Sequence, residues 1–414
     1  MARRGLWIPA VFAWFAVLAL APRGAFGGSA APPAPEPLRI KDFLYDLDRG
    51  LRTGPVALHA YLSEHASYND NVFLNESSRK SDFVFDTLGG ARVDLRYGHA
   101  KARLLGELEY FYTIAEADYN HLDATVALEG RIESRSTFLE IRDEFRYRGM
   151  SENLYHTPLG NFLTYMNNDA GLQAGVQLAR IGIEVDGGIT HWFFADKEVQ
   201  YLDHMEIRGS VKLSYNLRKL KIFLSGDFGM VDFTGEYDDG TQLYKLNDYM
   251  YYGVSLGFDY ELTGKINLFL SVGFRMQDVE EGEGTVIDDK SYTGFVANLS
   301  LSYRMTYKVT MGLTYYRSLE FSGTSNYQTT DFASAFYRHE ILPRFSVKIS
   351  PRFMYVMPSA HDKFMILGGY LLLDYRLWEW FHAGLRYDFR MRQTDRTDGS
   401  YLNNVVSLTL TGYF

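Results

Sequence analysis

The sequence predicts an all-β protein: a transmembrane, antiparallel up-and-down β-barrel of about 18 strands. Three observations predict it. Polar and apolar residues alternate with a period of two from about Val56 onward. The connections between alternating runs switch between short and long. The chain stops on Phe414, in mid-alternation. Successive side chains of a strand point to opposite faces, so each alternating run has one apolar and one polar face.

Composition agrees with that class. Hydrophobic residues make up 46% of 414 residues and aromatics 16%, yet the mean hydropathy is only -0.20. Beyond the N-terminus no stretch approaches the roughly 18 apolar residues of a membrane helix. A net charge of -9 excludes the basic footprint of a nucleic-acid partner. The absence of cysteine excludes disulfides, thiolate metal sites, a cysteine nucleophile and a lipidated N-terminal cysteine.

Residues 1–27 read as a secretory signal peptide. Arg3 and Arg4 precede the apolar LWIPAVFAWFAVLAL, and Ala25-Phe26-Gly27 is a cleavage site of small residues around one aromatic. Residues 28–54 form a Pro/Ala-rich tether followed by PLRIKDFLYDLDRGLRTGP. There Ile40, Phe43, Leu44, Leu47 and Leu51 recur at helical spacing and are ended by Gly50 and Gly54-Pro55. This segment is either a short periplasmic helix or plug at the barrel mouth, or an ordered tether. Residues 55–414 are the barrel.

Individual strands follow from their faces. In KARLLGELEYFY, Ala102, Leu104, Gly106, Leu108 and Tyr110 oppose Arg103, Glu107 and Glu109. In TFLEIRDEFRY, Leu139, Ile141, Phe145 and Tyr147 oppose Glu140, Arg142, Glu144 and Arg146, with Asp143 a polar intruder on the apolar row. In HMEIRGSVKLSY, Met205, Ile207, Val211, Leu213 and Tyr215 oppose Glu206, Arg208, Ser210 and Lys212. In FHAGLRYDFRMR, Leu385, Tyr387, Phe389 and Met391 oppose Arg386, Asp388, Arg390 and Arg392. The last run places Val406, Leu408, Leu410, Gly412 and Phe414 on one face, with Ser407, Thr409, Thr411 and Tyr413 on the other.

Short connections fall near Gly98-His99, 134–136, Ala179-Arg180, 216–218, 262–264, 305–307, Lys348 and 377–379. Longer polar ones fall near 69–81, 116–121, 149–160, 195–202, 235–247, 279–290, 320–328, 358–363 and 394–400. Short turns at one end and long loops at the other are the habit of outer-membrane barrels, with apolar bands flanked by aromatic girdles. A soluble sandwich has no use for so many strands in one meander. With no water in the bilayer core, only closure satisfies every backbone group. The last strand is therefore expected to close against the first, near 58–68. Its terminal aromatic resembles the C-terminal signal read by the outer-membrane assembly machinery, although Gly412 stands where that signal usually carries a larger residue.

The first hairpin is distinctive. A strand ending in Tyr68-Asn69-Asp70-Asn71-Val72-Phe73, followed by Ser81-Asp82-Phe83, resembles the β-barrel porin type 2 family, and the resemblance continues as a meander over most of the mature chain. It implies an outer-membrane barrel bound by lipid, with some members beside exopolysaccharide synthesis and export systems, and it brings no catalytic residues. Asn69-Asp70-Asn71 reads as a turn capping its own backbone, with a loop calcium site as the alternative.

The polar face carries the functional signal. A basic wall is expected from Arg338, Arg352, Arg376, Arg386, Arg390 and Arg392, joined by Arg304 and Arg344. An acidic wall is expected from Glu107, Glu109, Glu140, Glu144, Glu184 and Asp186, joined by Asp259 and Glu261. Some of these charges pair across neighbouring strands. The remainder would set a field across an aqueous pore. No metal spacing of histidines and no cofactor motif occurs, so neither a metal nor a cofactor is expected. His191, among Ile189 and Phe193, reads as an interfacial histidine, with a lipid-facing Ser–His hydrolase as the rival. The expected function is a porin-like channel for polar solutes, including polysaccharide. The rivals are an outer-membrane lipid hydrolase and an adhesive or structural barrel with a blocked lumen.

Overall fold

The computed structural model describes residues 51–414 except 73, 75–78, 116–119, 151–162, 239–242, 281–290, 323–324, 360–361 and 395–398. The signal peptide and almost all of the 28–54 segment lie outside the described residues. The end of that segment, Leu51–Thr53, pairs as a short strand with Val56–Leu58 around Gly54. Gly54 has φ +61°, a left-handed turn that suits glycine. Leu51, which helical spacing had joined to Leu47, is therefore a strand residue.

Among the described residues, 18 long strands from Val56–Asn69 to Tyr401–Tyr413 pair antiparallel, each with its sequence neighbour, and close into a barrel. Closure runs through Tyr61 opposite Tyr413 to Asn69 opposite Val405. Phe414 completes it: its N–H donates to the Ala60 carbonyl at 2.8 Å, and Ala60 N–H donates back at 3.1 Å. Among the described residues each of the 18 long strands is paired on both sides, as hydrocarbon requires.

The two faces are those of the alternation. Leu104, Leu108, Leu213, Leu385, Val406 and Leu408 stand exposed on the outside. Ser407, Thr409 and Thr411 are buried on the inside. Leu385 is 47% exposed and its neighbour Arg386 only 4%. Aromatics gather at both ends of the outer belt. Trp378 and Trp380 stack at 5.6 Å on the short-turn side, and Tyr68 lies against Phe83 at 5.1 Å on the long-loop side. Such rings favour the membrane–water interface.

The seam is locked at the long-loop end. Asn404 donates to both Asp70 oxygens, from its backbone at 2.7 Å and its side chain at 2.6 Å. Asn403 donates to Asn69 Oδ1 at 2.6 Å and to the Asn71 carbonyl at 2.9 Å. The Asn69-Asp70-Asn71 turn does cap itself, Asn71 N–H to Asn69 Oδ1 at 2.9 Å, but it also ties the first strand to the last.

Two connections differ from expectation. The short turn expected at Lys348 lies at Pro343-Arg344, between the Ser325–Leu342 and Phe345–Pro358 strands. Lys348 is mid-strand, opposite Arg338. Pro351 misleads because a strand interior rarely holds proline. Here the ladder to Ala335 and Phe336 is interrupted while the register on either side is unchanged, and Pro351 faces Gly369 on the other edge. A Cβ on Gly369 would come within 2.9 Å of the Pro351 backbone, so the glycine makes room. The second difference is at 320–328, where strand runs to Ser322 and resumes at Ser325.

The connection at 195–202 is not simply a polar loop. Lys197–Leu202 forms a 3-10 turn whose Val199, Tyr201 and Leu202 are buried against the inward residues Tyr165, Phe194, Phe233, Tyr249 and Tyr251, with Leu246 from the next loop. Phe194 N–H donates to Asp203 Oδ1 at 2.7 Å, holding the turn. Burial pushes the Asp203 carboxyl above its ordinary range, and the Phe194 amide only partly offsets this. The molecule's one packed apolar cluster among described residues thus lies inside the barrel wall, at the long-loop end.

Candidate functional site

A strand register decides which charges share the lumen. On the Phe381–Thr394 strand, Arg386, Asp388, Arg390 and Arg392 all point inward. The neighbouring Phe364–Trp378 strand sets Leu372, Tyr370, Gly368 and Ile366 opposite them in that order. The next strand sets Lys348 opposite Leu372, Ser350 opposite Tyr370 and Arg352 opposite Gly368. Arg338 pairs with Lys348, and Arg376 lies opposite the inward His382. The six expected arginines therefore share the inner face of adjoining strands. Arg304 also faces inward, opposite Thr310. Arg344 does not belong to the wall. It sits in the Pro343 turn, where its Nη1 donates to the Leu377 carbonyl at 3.3 Å.

Tyr370 organises the patch. The Arg386 guanidinium lies 4.3 Å from its ring centroid, with Arg352 and Lys348 each at 5.3 Å. A ring face attracts cations, so three like charges are gathered around one aromatic. Arg386 is also held by Asp388, Nε to Oδ2 at 2.5 Å. Arg392 lies over Phe364 at 4.2 Å. Between Arg352 and Arg390 the wall carries only Gly368, so no side chain separates these two arginines along the register.

The expected acidic residues also face inward, but cations are interleaved with them. Glu140 meets Arg131 at 3.0 Å and Arg142 at 3.3 Å; Arg142 also reaches Asp186 at 3.6 Å. Glu144 meets Arg146 at 2.6 Å, and Glu184 meets Lys221 at 3.0 Å and Lys212 at 3.7 Å. Glu107 accepts from Tyr61, and Glu109 lies in the same inward row, opposite Asp123. Farther round, Asp227 meets Arg275 at 2.5 Å. Asp259 lies opposite Lys221. This half of the lining is a lattice of alternating charge, not a bare acidic wall. Among the described residues of the Phe345–Pro358, Phe364–Trp378 and Phe381–Thr394 strands, the inner face carries the cations Lys348, Arg352, Arg376, Arg386, Arg390 and Arg392 and the carboxylates Asp374 and Asp388, and the strand before them adds Arg338 and Glu340.

Two residues on the lipid side qualify the pattern. Asp143 faces outward, opposite Leu128 and Ala170, as its place in the apolar row implied. Glu64 does too, between Leu62 and Ala66, accepting from Thr87 Oγ1 at 2.8 Å. Glu64 was legible in the same way, as the one charge in the row Leu58, Ala60, Leu62, Glu64, Ala66, Tyr68, and was missed. His191 faces outward with its ring 3.9 Å from that of Phe193, in the aromatic girdle. No group of three or more His, Asp or Glu side chains placed to hold a metal ion occurs among the described residues.

Comparison with solved structures places this architecture. OccK2 (OpdF) of Pseudomonas aeruginosa matches with a TM-score of 0.50 at 10% identity, over 86% of this chain and 98% of that one. The fold is that of an outer-membrane porin. The outer membrane protein OpdK of the same organism matches with a TM-score of 0.46 at 12% identity, over 86% and 98%. OccAB3 of Acinetobacter baumannii matches with a TM-score of 0.45 at 12% identity, over 86% and 99%. At such identities the likeness is one of fold. No protein-family model matches the chain, and no curated protein matches it in sequence. The protein is an outer-membrane β-barrel.

Proposed function

We propose that the protein is a porin-like diffusion channel that prefers small anionic solutes, carboxylates above all. The observation that carries this reading is the gathering of cations on one side of the inner wall: Lys348, Arg352 and Arg386 lie around the Tyr370 ring, and Arg390 and Arg392 share the inner face of the Arg386 strand, while the other half of the lining alternates in sign. Arginine stays charged at any working pH and grips a carboxylate through a planar fork. Arg352 and Arg390, with no side chain between them at Gly368, can hold a carboxylate while the rest of the solute remains in the lumen. An 18-stranded barrel is wide enough for an aqueous path. The inward-folded Lys197–Leu202 turn narrows the entrance at the long-loop end, so the channel would favour small solutes over large ones. Acidic polysaccharide, suggested by the resemblance to the β-barrel porin type 2 family, carries the same carboxylates and would meet the same arginines one sugar at a time. The resemblance to that family rests on the first hairpin and the meander.

Purified protein added to a planar bilayer should produce stepwise single-channel currents, reduced by millimolar mono- and dicarboxylates in a salt-dependent manner, because the interactions are partly screened. Membranes that stay silent although barrel insertion is shown by protease protection would contradict the channel.

A further inference from the structure

At the long-loop end of the Val309–Ser322 and Ser325–Leu342 strands, four oxygen-bearing side chains form a square on the inner face. Ser318 lies opposite Thr330, and Glu320 lies opposite Gln328. Glu320 is 3% exposed, Gln328 4% and Thr330 0%. Tyr316 and Phe332, one step below, stack at 4.8 Å and give the square an apolar floor.

The square has two defects. The Glu320 carboxylate accepts from Ser318 Oγ at 2.6 Å, from Thr330 Oγ1 at 2.9 Å and from Gln328 Nε2 at a long 3.4 Å. All these donors are neutral, and among the described residues no Lys, Arg or His pairs with it. A buried carboxylate without a counter-charge is costly. Directly opposite, Gln328 Oε1 is buried with no hydrogen-bond partner. A buried acceptor without a donor is costly as well. An amide's oxygen and nitrogen exchange places on a half turn. That turn would bring Oε1 beside the carboxylate, where two acceptors would face each other with nothing between them. With the amide so turned, a cation between Oε1 and the carboxylate satisfies both.

We propose that Glu320, Gln328, Thr330 and Ser318 form a binding site for calcium. The donors are all hard oxygens, which suits calcium, magnesium or an alkali ion and not zinc or copper. Magnesium demands near-ideal octahedral geometry and keeps its waters, which a buried square of side chains does not provide. Calcium accepts irregular sets of neutral and charged oxygens. With a single carboxylate the affinity falls in the weak range of extracellular calcium modules, about 10⁻⁴–10⁻³ M. The ion would stiffen the hairpin at the long-loop mouth. The site requires only the barrel, not the channel reading.

The test uses the full chain refolded in synthetic detergent without lipopolysaccharide, which itself binds calcium. Thermal unfolding is followed with millimolar calcium and with EDTA at matched ionic strength, and terbium luminescence, sensitised by tyrosine and displaced by calcium, reports binding. The native midpoint should rise by several degrees with calcium. Glu320→Gln, which keeps the size and shape of the side chain and removes the charge, should lose that rise and bind terbium at least tenfold more weakly. Gln328→Leu serves the same purpose if Glu320→Gln fails to refold. Two results overturn the proposal. One is an equal calcium response in native and variant, which puts the ion elsewhere. The other is a native midpoint indifferent to calcium with Glu320→Gln equally stable, which makes Glu320 an ordinary neutral acid.

Discussion

Removing Phe414, or replacing it with Lys, is expected to leave the chain as periplasmic precursor or aggregate instead of a heat-modifiable barrel. The residue joins the ends of the sheet. Its N–H and carbonyl both bond to Ala60, the last pair of the closing seam, so deletion leaves Ala60 with an unpaired donor and acceptor at the membrane border. Each such group in hydrocarbon costs several kcal/mol. The ring itself lies over Gly412, where an added Cβ would meet Phe414 Cζ at 3.3 Å. The glycine that departs from the usual terminal signal is thus the seat of the terminal ring. Pulse-chase with separation of unheated and heated samples measures the outcome. Normal amounts of heat-modifiable barrel from the truncated chain would remove Phe414 from the assembly account.

Leu385→Arg and Arg390→Leu, five positions apart on one strand, should have opposite consequences. Leu385 faces lipid between Leu373 and Leu408. An arginine there, near mid-membrane, should destabilise the barrel by about 2–4 kcal/mol, whereas lumen substitutions are tolerated. Arg390 faces the lumen opposite Gly368 and Asn403, so its replacement by Leu leaves no charge against lipid. Urea titration in bilayers gives both values. Equal losses would mean that the faces of this strand are misassigned.

That assignment was legible in the sequence because alternation is a local property, and a face once fixed at Leu385 propagates along the strand. Strand number and the closing pair followed from the same logic. What escaped was set by distant neighbours. Pro351 could be read as a break only because the accommodating Gly369 belongs to another strand. The Lys197–Leu202 turn read as polar, although Trp192 and Phe194 put aromatics on a face expected to be wet, a sign that something covers them. The inward charges were identified one by one, yet their balance depends on cross-strand partners. Glu184, for example, is matched by Lys212 and Lys221 from the two strands that follow. On the arginine side the strand opposite Arg386, Asp388 and Arg390 supplies Leu372, Tyr370 and Gly368, none of which the residues of one strand could announce.

The reversal potential across a planar bilayer under a salt gradient tests the central claim, a pore with one basic wall, most directly. Arg386 is buried and held by Asp388, so the informative variant is Arg352/Arg390/Arg392→Gln. The native channel should reverse on the anion-selective side, more strongly at low salt, and the triple variant should move toward the unselective value while keeping its conductance steps. An open native channel that is cation-selective, and unchanged by the triple substitution, would contradict the account.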